Sequence, residues 1–362
     1  MKWLMNIFDQ LRPLFDEKKG KLKALSIVFE TAEFIFFYPS DRTKNAPHVR
    51  DPLDIKRFMG VVILAMLPCV LAAIYFFGPY VIAMILVSYI AGGICEVAFA
   101  VIRKGEIHEG FFVTGLIFPM VLPPTTPLWM VAVGSMFGVV FGKEVFGGTG
   151  KNIFNPALVG RLFVTIAFPA SMTTRFKMPM DPLGLFQKLG LTHNYTDAIT
   201  SATPMSIYKT QNIITSYGDL LWGNTAGSIG ETFHLGIIIG GIFLMWTRVS
   251  NWRIPISYIG AVALFGWIGH ALNADAVAPV GFQILGGGML FGAMYMATDP
   301  VTAPVTKIGK YIFGVLCGLL TVLIRSFSSY VEGVMFSIVI MNAFTPLIDH
   351  VILKTQYRQV KE

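Results

Sequence analysis

Ten apolar segments, separated by short polar or Gly/Pro-rich connections, dominate the sequence after residue 57. They are residues 58–77, 80–103, 110–122, 127–142, 153–169, 233–249, 254–272, 279–297, 307–324 and 331–352. Only 14% of the residues are charged, whereas a typical soluble domain has about 25%. Because a straight spanning helix needs about 20 apolar residues, this pattern predicts an all-α integral membrane protein with ten transmembrane helices, several of them short or broken.

The basic residues predict how these segments are oriented. With the N-terminus inside, the inner connections contain eight basic residues, and Arg325 is the only one in the short outer connections. The eight are Arg103, Lys104, Lys143, Lys151, Arg248, Arg253, Lys307 and Lys310. The positive-inside rule therefore predicts a multi-pass protein with the N- and C-termini cytoplasmic. The expected location is the bacterial inner membrane. Residues 1–57 show no signal-peptide pattern.

Five segments precede the long connection and five follow it. The predicted organisation is a polar arm (1–57), a first membrane repeat (58–169), a periplasmic loop (170–232), a second membrane repeat (233–352) and a cytoplasmic tail (353–362). An odd number of crossings in each half makes the two halves point in opposite directions, which predicts two inverted five-helix repeats. A similarity between Phe146–Pro156 and Phe291–Pro300 in glycines, length and final Asn/Asp-Pro favours a duplication.

Composition also excludes several classes of function. The net charge is +7, but eleven of the 28 basic residues lie in residues 1–57 among eight acidic ones, and most others stand singly. That distribution argues against a nucleic-acid partner. Three cysteines in apolar runs are too few for an iron–sulfur cluster, and the six histidines lack metal-ligand spacing, so no metal site is predicted. The cysteines are Cys69, Cys95 and Cys317.

The long loop contains the sequence Asp197-Ala-Ile-Thr-Ser-Ala-Thr203. It resembles the flavinylation motif of membrane subunits in two related respiratory complexes. The resemblance implies FMN attached by a phosphoester to Thr203, with Asp197, Thr200, Ser201 and Ala202 as the rest of the motif. Such a modification needs an exposed hydroxyl in an extended segment with small neighbours. An ordinary Ser/Thr turn is the alternative.

A glycine-rich run, Gly142–Ala157, lies between two apolar segments. It is not a phosphate loop, because Val145 stands where the first glycine belongs and Asn152 follows the lysine. A glycine-rich turn at membrane depth allows close backbone approach to a flat ligand. Together with Asp51–Met59 and Ala297–Pro300, this run resembles the B subunits of the sodium-pumping NADH:quinone reductases over nearly the whole chain.

This resemblance implies a non-covalent riboflavin at two asparagines, Asn152 and Asn155. The glycines of the same turn, Gly147, Gly148 and Gly150, are assigned to the riboflavin site with them. Helix capping by an asparagine at a tight turn is the alternative for these positions.

The second segment contains Ala91-Gly-Gly-Ile-Cys-Glu96. Adjacent glycines in a spanning helix are typical of close helix packing. The family resemblance implies a quinone site near Gly92, Gly93 and Phe163, with Phe34–Tyr38 of the arm as a flap.

Glu96 is the first candidate for the cation pathway, because a carboxylate at membrane depth is unfavourable unless it has a function or a partner. A structural ion pair with a basic residue such as Arg161 is the alternative. Glu144, Asp299 and Asp349 are further candidates near the aqueous boundary.

The resemblance implies a membrane flavoprotein that passes electrons from covalent FMN through riboflavin to quinone, coupled to Na⁺ export. No dinucleotide fingerprint is present, so NADH oxidation is expected on a partner. The expected partners are the lipid bilayer and the other subunits of a six-subunit complex. These include a second covalent-FMN subunit, an NADH-oxidising subunit with FAD and an iron–sulfur centre, and small membrane subunits.

Two other interpretations are open. The D subunit of the related ferredoxin:NAD reductase complex shares the flavin motif. The long polar arm favours the B subunit of the sodium-pumping enzyme, although the segment from Pro169 to Asp197 is longer than expected for it. A channel or secondary transporter with an inverted repeat and no redox role is the alternative from a different class.

Overall fold

The fold was analysed on a computed structural model, which describes residues 10, 12–13, 55–103, 110–180, 202–273, 276–328, 330 and 332–359. The regular elements in these ranges are helices, and none is a strand. The proposed flap, Phe34–Tyr38, and the motif residues Asp197, Thr200 and Ser201 lie outside the described residues.

The first half contains five apolar helices in the order that the sequence predicts. They are α1 (Ile55–Phe77), α2 (Tyr80–Arg103), α3 (Gly110–Met120), α4 (Leu128–Gly142) and α5 (Pro156–Ala167). A short 3₁₀ helix, Glu144–Phe146, follows α4. Asn155 caps α5, because its side chain accepts a hydrogen bond from Ala157 N and Pro156 occupies the first turn.

The predicted loop 170–232 is partly helical. It contains most of α6 (Pro169–Thr174), which directly follows α5, and the short helices α7 (Pro204–Gln211) and α8 (Tyr217–Trp222). Thr203 is the N-cap of α7, and its side chain accepts a hydrogen bond from Ser206 N. This cap sets the direction in which the chain enters α7.

The second half contains one segment that is clearly broken. The helices of the second half are α9 (His234–Trp246), α10 (Arg253–Leu272), α11 (Val280–Leu285), α12 (Met289–Phe291), α13 (Lys307–Phe327) and α14 (Val334–Gln359). The predicted segment 279–297 comprises α11, the glycines 286–288, α12 and one π-helical turn, Gly292–Met296. Helix α14 continues to Gln359, so the predicted tail from residue 353 begins inside a helix.

Six helical spans are long and apolar enough to cross a membrane. They are Phe58–Phe77, Tyr80–Arg103, Leu128–Phe146, Arg253–Leu272, Lys307–Phe327 and Val334–Gln356. Three further apolar helices, α3, α5 and α9, have 10 to 17 residues. The chain is thus a multi-pass all-helical membrane protein, and a count of ten crossings stays a prediction.

Helix pairing follows the same order in the two halves. In the first half α2 packs on α3 and α4, and α4 packs on α5. In the second half α10 packs on α11 and α13, and α13 packs on α14. Between the halves, the first helices α1 and α9 pack together, and so do the last helices α5 and α14.

The surface of these helices is apolar where no other helix covers it. Leu71, Ile90, Ile94 and Trp246 are exposed side chains on α1, α2 and α9. An exposed apolar surface of this extent needs lipid or partner subunits to cover it. The core instead lies where the halves meet, and Tyr295 from the π-helical turn donates a hydrogen bond to Ala65 O of α1 there.

Close packing of α4 against α5 depends on glycines. A Cβ added at Gly160 would lie 2.5 Å from Gly134 O and 3.0 Å from the Phe118 ring, and the backbone oxygen cannot move aside. We expect Gly160→Ala to lower the free energy of unfolding by about 1–3 kcal/mol, because the two helices must separate. Thermal unfolding of the purified protein measures this.

Gly260 provides the matched control on α10. It is exposed, and nothing lies within 4 Å of its added Cβ. Gly260→Ala should be neutral or stabilise by up to about 1 kcal/mol, because alanine favours the helix. Equal effects of the two substitutions would contradict the packing account.

Candidate functional site

The first site is a cavity of about 150 Å³ beside Thr203, here named the Thr203 cavity. Its polar lining includes Thr203 and Ser206 of α7, Arg161 of α5 and Glu332 before α14. Thr203 is buried, with 6% of its surface exposed. The sequence predicted an exposed hydroxyl in an extended segment. The backbone of Thr203 is indeed extended, but its side chain forms part of a cavity wall.

A buried charged cluster adjoins the Thr203 cavity. Arg161 donates to Ser228 Oγ at 3.0 Å and lies 3.6 Å from Glu231 Oε1. Arg325 donates to the carbonyls of Gln283 and Gly286 at 2.7 and 2.9 Å. Two guanidinium groups in the interior need acceptors, and backbone carbonyls provide those of Arg325.

The second site is a smaller cavity, about 60 Å³, here named the Asn152 cavity. Asn152 and Asn155, the predicted riboflavin ligands, both line it, as do Thr149, Ser250 and Asp299. The hydroxyls of Thr149 and Ser250 are buried and have no hydrogen-bond partner among the described residues. Such orphaned groups fit a ligand or water that carries hydroxyls.

The glycine-rich turn shapes one wall of this cavity. The backbone φ angles of Gly147, Gly148 and Gly150 are 113°, 93° and 88°. Residues other than glycine rarely adopt this region. The Asn152 side chain closes the turn by accepting from Gly150 N and donating to Phe154 O. Asn155 caps α5 and also donates to Met296 O across the two halves. Asn155 therefore both caps α5 and lines the Asn152 cavity.

Glu96 forms a buried ion pair with Lys143, the residue that follows α4. The side chains are 5% exposed for Lys143 and 4% for Glu96. The alternative of an ion pair with a basic residue is thus present, but the partner is Lys143 and not Arg161, which faces Ser228 and Glu231. Glu96 is thus neutralised by a cation of the adjacent helix end, which meets the requirement for a charge at membrane depth.

Glu144 forms the next ion pair. Its carboxylate lies 3.0 Å from Arg103 Nη1, and Arg103 also donates to Glu144 O. The Glu144 side chain is only 8% exposed. Lys143 and Glu144 are consecutive after α4, so the two ion pairs are neighbours, with Arg103 at the end of α2 and Glu96 inside that helix.

The other two cation candidates hold local structure. Asp349 of α14 accepts hydrogen bonds from Val305 N and from Thr306 N and Oγ1. It therefore fixes the start of α13. Asp299 accepts from Val301 N and Thr302 Oγ1, and burial raises the pKa of its carboxyl. Asp299 lines the Asn152 cavity, whereas Asp349 does not.

The proposed quinone residues lie on two different sides of α4. A Cβ on Gly92 would meet Ser135 and Phe111, and Gly93 also faces Phe111. Phe163 stacks on Phe137 with ring centroids 4.0 Å apart. Neither the Thr203 cavity nor the Asn152 cavity is lined by these residues, so a shared quinone pocket stays a prediction.

Sequence comparison decides the family. The family described as "NQR2, RnfD, RnfE family" matches residues 42–358 of the chain. The chain belongs to this NQR2/RnfD/RnfE family. The match includes both sets of helices and all residues of the two cavities.

Relatives within the NQR2/RnfD/RnfE family align over almost their full length. The B subunit of the Na(+)-translocating NADH-quinone reductase of Pseudomonas aeruginosa is 35% identical over 411 aligned positions, covering 98% of each chain. The protein of the same name from Klebsiella pneumoniae is 34% identical, covering 99% of each chain. That from Ectopseudomonas mendocina is 35% identical, covering 95% of each.

The sequence analysis did not single out several residues that lie in or beside the two cavities. Arg161 was considered only as a partner of Glu96, and Glu231 and Glu332 were not considered. One signal was available for Arg161, since an ionisable residue inside an apolar segment is a functional candidate by default. No local pattern distinguishes Thr149 or Ser250, whose orphaned hydroxyls become visible only when distant segments meet.

Proposed function

We propose that the chain is the membrane flavoprotein subunit of a sodium-pumping NADH:quinone reductase. Full-length similarity to relatives named as the B subunit of that enzyme supports this over the D subunit of the ferredoxin:NAD reductase complex. The observation that carries the proposal is the placement of Thr203, the last residue of the flavinylation-like motif, in a cavity with buried Arg161. Flavins supply the electron-transfer chemistry, and this chain holds and tunes them.

Flavin fluorescence of the denatured polypeptide tests the proposal. Covalently attached FMN survives denaturation, so the polypeptide band should fluoresce in a gel. A non-fluorescent band would contradict the proposal and favour a transporter without a redox role.

The proposed partners are those that the family resemblance implies. No dinucleotide fingerprint is present in the sequence, which fits NADH oxidation on a partner subunit, and the resemblance gives that subunit FAD and an iron–sulfur centre. A second covalent-FMN subunit and small membrane subunits complete a six-subunit complex in the bacterial inner membrane. The exposed apolar side chains of α1, α2 and α9 are available to these membrane subunits and to lipid.

An inverted repeat of five helices in each half, with both termini cytoplasmic, is part of the proposal. Its support is the recurrence of the helix pairs, together with first-to-first and last-to-last contacts between the halves. The similarity of 146–156 to 291–300 gives no support, because the first connects α4 to α5 and the second precedes α13. The equivalent connections are 121–127 and 297–306, and these share a proline–threonine–proline pattern, Pro124-Thr-Thr-Pro127 and Pro300-Val-Thr-Ala-Pro304.

The Asn152 cavity is proposed to hold the polar end of a riboflavin. Asn152, Asn155 and the orphaned hydroxyls of Thr149 and Ser250 can exchange hydrogen bonds with a hydroxylated chain. A volume of about 60 Å³ is room for such a chain and not for the three-ring system. The glycine-rich turn leaves backbone groups accessible beside it.

Removing the amide of Asn152 should release this flavin. We expect Asn152→Leu to lower the non-covalent riboflavin content of the purified complex at least tenfold, because a buried polar partner is lost. Extraction into acid followed by chromatography measures riboflavin separately from covalent FMN. Asn224, a half-buried asparagine that donates to Asp219 Oδ1 and does not line the cavity, gives the matched control Asn224→Leu. Equal loss in both variants would contradict a specific role of Asn152.

Quinone reduction and Na⁺ export are proposed for the α2–α4 region. Gly92, Gly93 and Phe163 are assigned to the quinone on the family resemblance alone, since the two glycines pack against Phe111 and Phe163 stacks on Phe137. Glu96 is the main cation candidate, and Glu144 is secondary because it lies near the aqueous boundary, where a charge costs little, and its partner Arg103 is partly exposed. Asp299 stays a candidate at the Asn152 cavity, whereas the hydrogen bonds of Asp349 favour a structural role.

A further inference from the structure

Arg161 is the buried cation of the Thr203 cavity. Its side chain is 2% exposed and lines the cavity wall. Its Nη1 donates to Ser228 Oγ, and its Nε has no hydrogen-bond partner among the described residues. An arginine so deeply buried with an unused donor calls for an acceptor in the cavity that it faces.

Glu231 does not fully satisfy this arginine. The closest approach, 3.6 Å, exceeds the 2.7–2.9 Å of a good charge-assisted hydrogen bond. Burial, reinforced by the nearby charge of Glu332, raises the pKa of the Glu231 carboxyl, and the Arg161 guanidinium opposes that shift. The long contact to Glu231 and the unpartnered Nε leave Arg161 able to bind another anion.

Glu332, the acidic residue in the cavity wall, lies in the neighbourhood of Arg325. A Cβ added to Gly287 would lie 2.5 Å from Glu332 Oε1 and 3.2 Å from Arg325 Nη2. The Arg325 guanidinium donates to the carbonyls of Gln283 and Gly286. Glu332 Oε2 is buried and without a partner among the described residues, so it can accept from a hydroxyl donor in the cavity.

The size of the cavity limits what can enter it. Its volume of about 150 Å³ is comparable to that of an engineered cavity that holds one benzene molecule. FMN has three fused rings, a ribityl chain and a phosphate, and cannot be enclosed as a whole. A phosphate esterified to Thr203 and the first ribityl hydroxyls fit the available space.

We propose that Arg161 binds the phosphate of the flavin attached at Thr203, so that the phosphate end is buried and the ring system lies outside the cavity. This inference rests on the proposed covalent FMN. It assigns a phosphate-binding role to Arg161 and an acceptor role for a ribityl hydroxyl to Glu332. A ring system outside the cavity is accessible to the redox partner that exchanges electrons with it.

Binding of free flavins to the assembled Thr203→Ala complex tests this inference, because attachment is then impossible. FMN and riboflavin differ only in the phosphate, and flavin fluorescence quenching gives both dissociation constants. We expect FMN to bind at least tenfold more tightly than riboflavin. When Arg161→Gln is added to Thr203→Ala, the ratio of the two dissociation constants should fall close to one. Flavin binding at the Asn152 cavity contributes equally in Thr203→Ala and in the double variant Thr203→Ala/Arg161→Gln.

Arg325→Gln is the matched control, because Arg325 is equally buried in the same cluster but does not line the Thr203 cavity. It should keep the preference for FMN. If the Arg161→Gln complex does not assemble, Arg161→Lys replaces it in the test. This variant should lower the preference for FMN over riboflavin severalfold, because an ammonium keeps the charge but cannot form the two parallel hydrogen bonds of a guanidinium.

Three results would overturn the inference. They are no FMN preference in Thr203→Ala, an unchanged ratio in the Arg161 variants, and an equal loss in Arg325→Gln. Covalent FMN is checked separately by peptide mass spectrometry of the complex with Thr203 intact. An FMN adduct on Thr203 combined with any of these results would refute the role of Arg161 and leave the proposed function standing.

Discussion

Thr203→Ala is expected to abolish the covalent flavin of this chain completely. A phosphoester to FMN needs the Thr203 hydroxyl, and alanine has none. Peptide mass spectrometry should find an adduct of FMN size on the peptide containing Thr203 in the unsubstituted protein and no adduct in the variant. In-gel fluorescence of the denatured polypeptide should disappear in parallel.

The controls separate chemistry from folding. Thr203 also caps α7, so its loss costs about 0.5–2 kcal/mol of stability. Thr203→Asn retains a good capping side chain without the hydroxyl and should also lack flavin. Ser206→Ala changes another hydroxyl of the same cavity and should retain it. An adduct that persists in Thr203→Asn would refute the assignment.

Glu96→Gln is expected to raise the Na⁺ concentration for half-maximal quinone reduction at least tenfold while the complex still assembles with its flavins. Gln keeps the shape of the side chain but removes the charge that a cation needs. Glu144→Gln is the matched control, since it also removes one carboxylate of an ion pair but at the partly exposed pair with Arg103 near the aqueous boundary, and it should change the Na⁺ dependence far less. An unchanged Na⁺ dependence in an assembled Glu96→Gln complex would leave the ion pair with Lys143 as a purely structural feature.

Stability measurements on the same variant examine the ion pair itself. Removing one partner of a buried pair costs about 3–5 kcal/mol, because the Lys143 ammonium stays buried without its counter-charge. The double variant Glu96→Gln/Lys143→Gln should recover most of that loss in thermal unfolding. Recovery of stability without recovery of the Na⁺ dependence would separate the two roles of Glu96.

Much of the helical architecture could be predicted from the sequence. Apolar runs of about 20 residues, such as 58–77 and 80–103, form helices because their backbone polar groups must be satisfied internally in lipid. The glycine-rich turn at 147–150 was also predictable, since the chain reverses there and only glycine adopts the required φ without strain. Thr203, Asn152 and Asn155 could be singled out because local motifs contain them, and each lines a cavity, while their roles toward flavins stay predictions.

The tertiary structure alone decided which charges meet. Glu96 is paired with Lys143 rather than Arg161, and the difference follows from the packing of α2 on α4, which sequence spacing does not reveal. Arg161 contacts Ser228 and Glu231 and shares a cavity with Thr203, because helix α5 and the chain segments after residue 200 come together there. An apolar pattern determines that a segment enters the membrane, whereas side-chain partners depend on interhelical contacts between residues far apart in the chain.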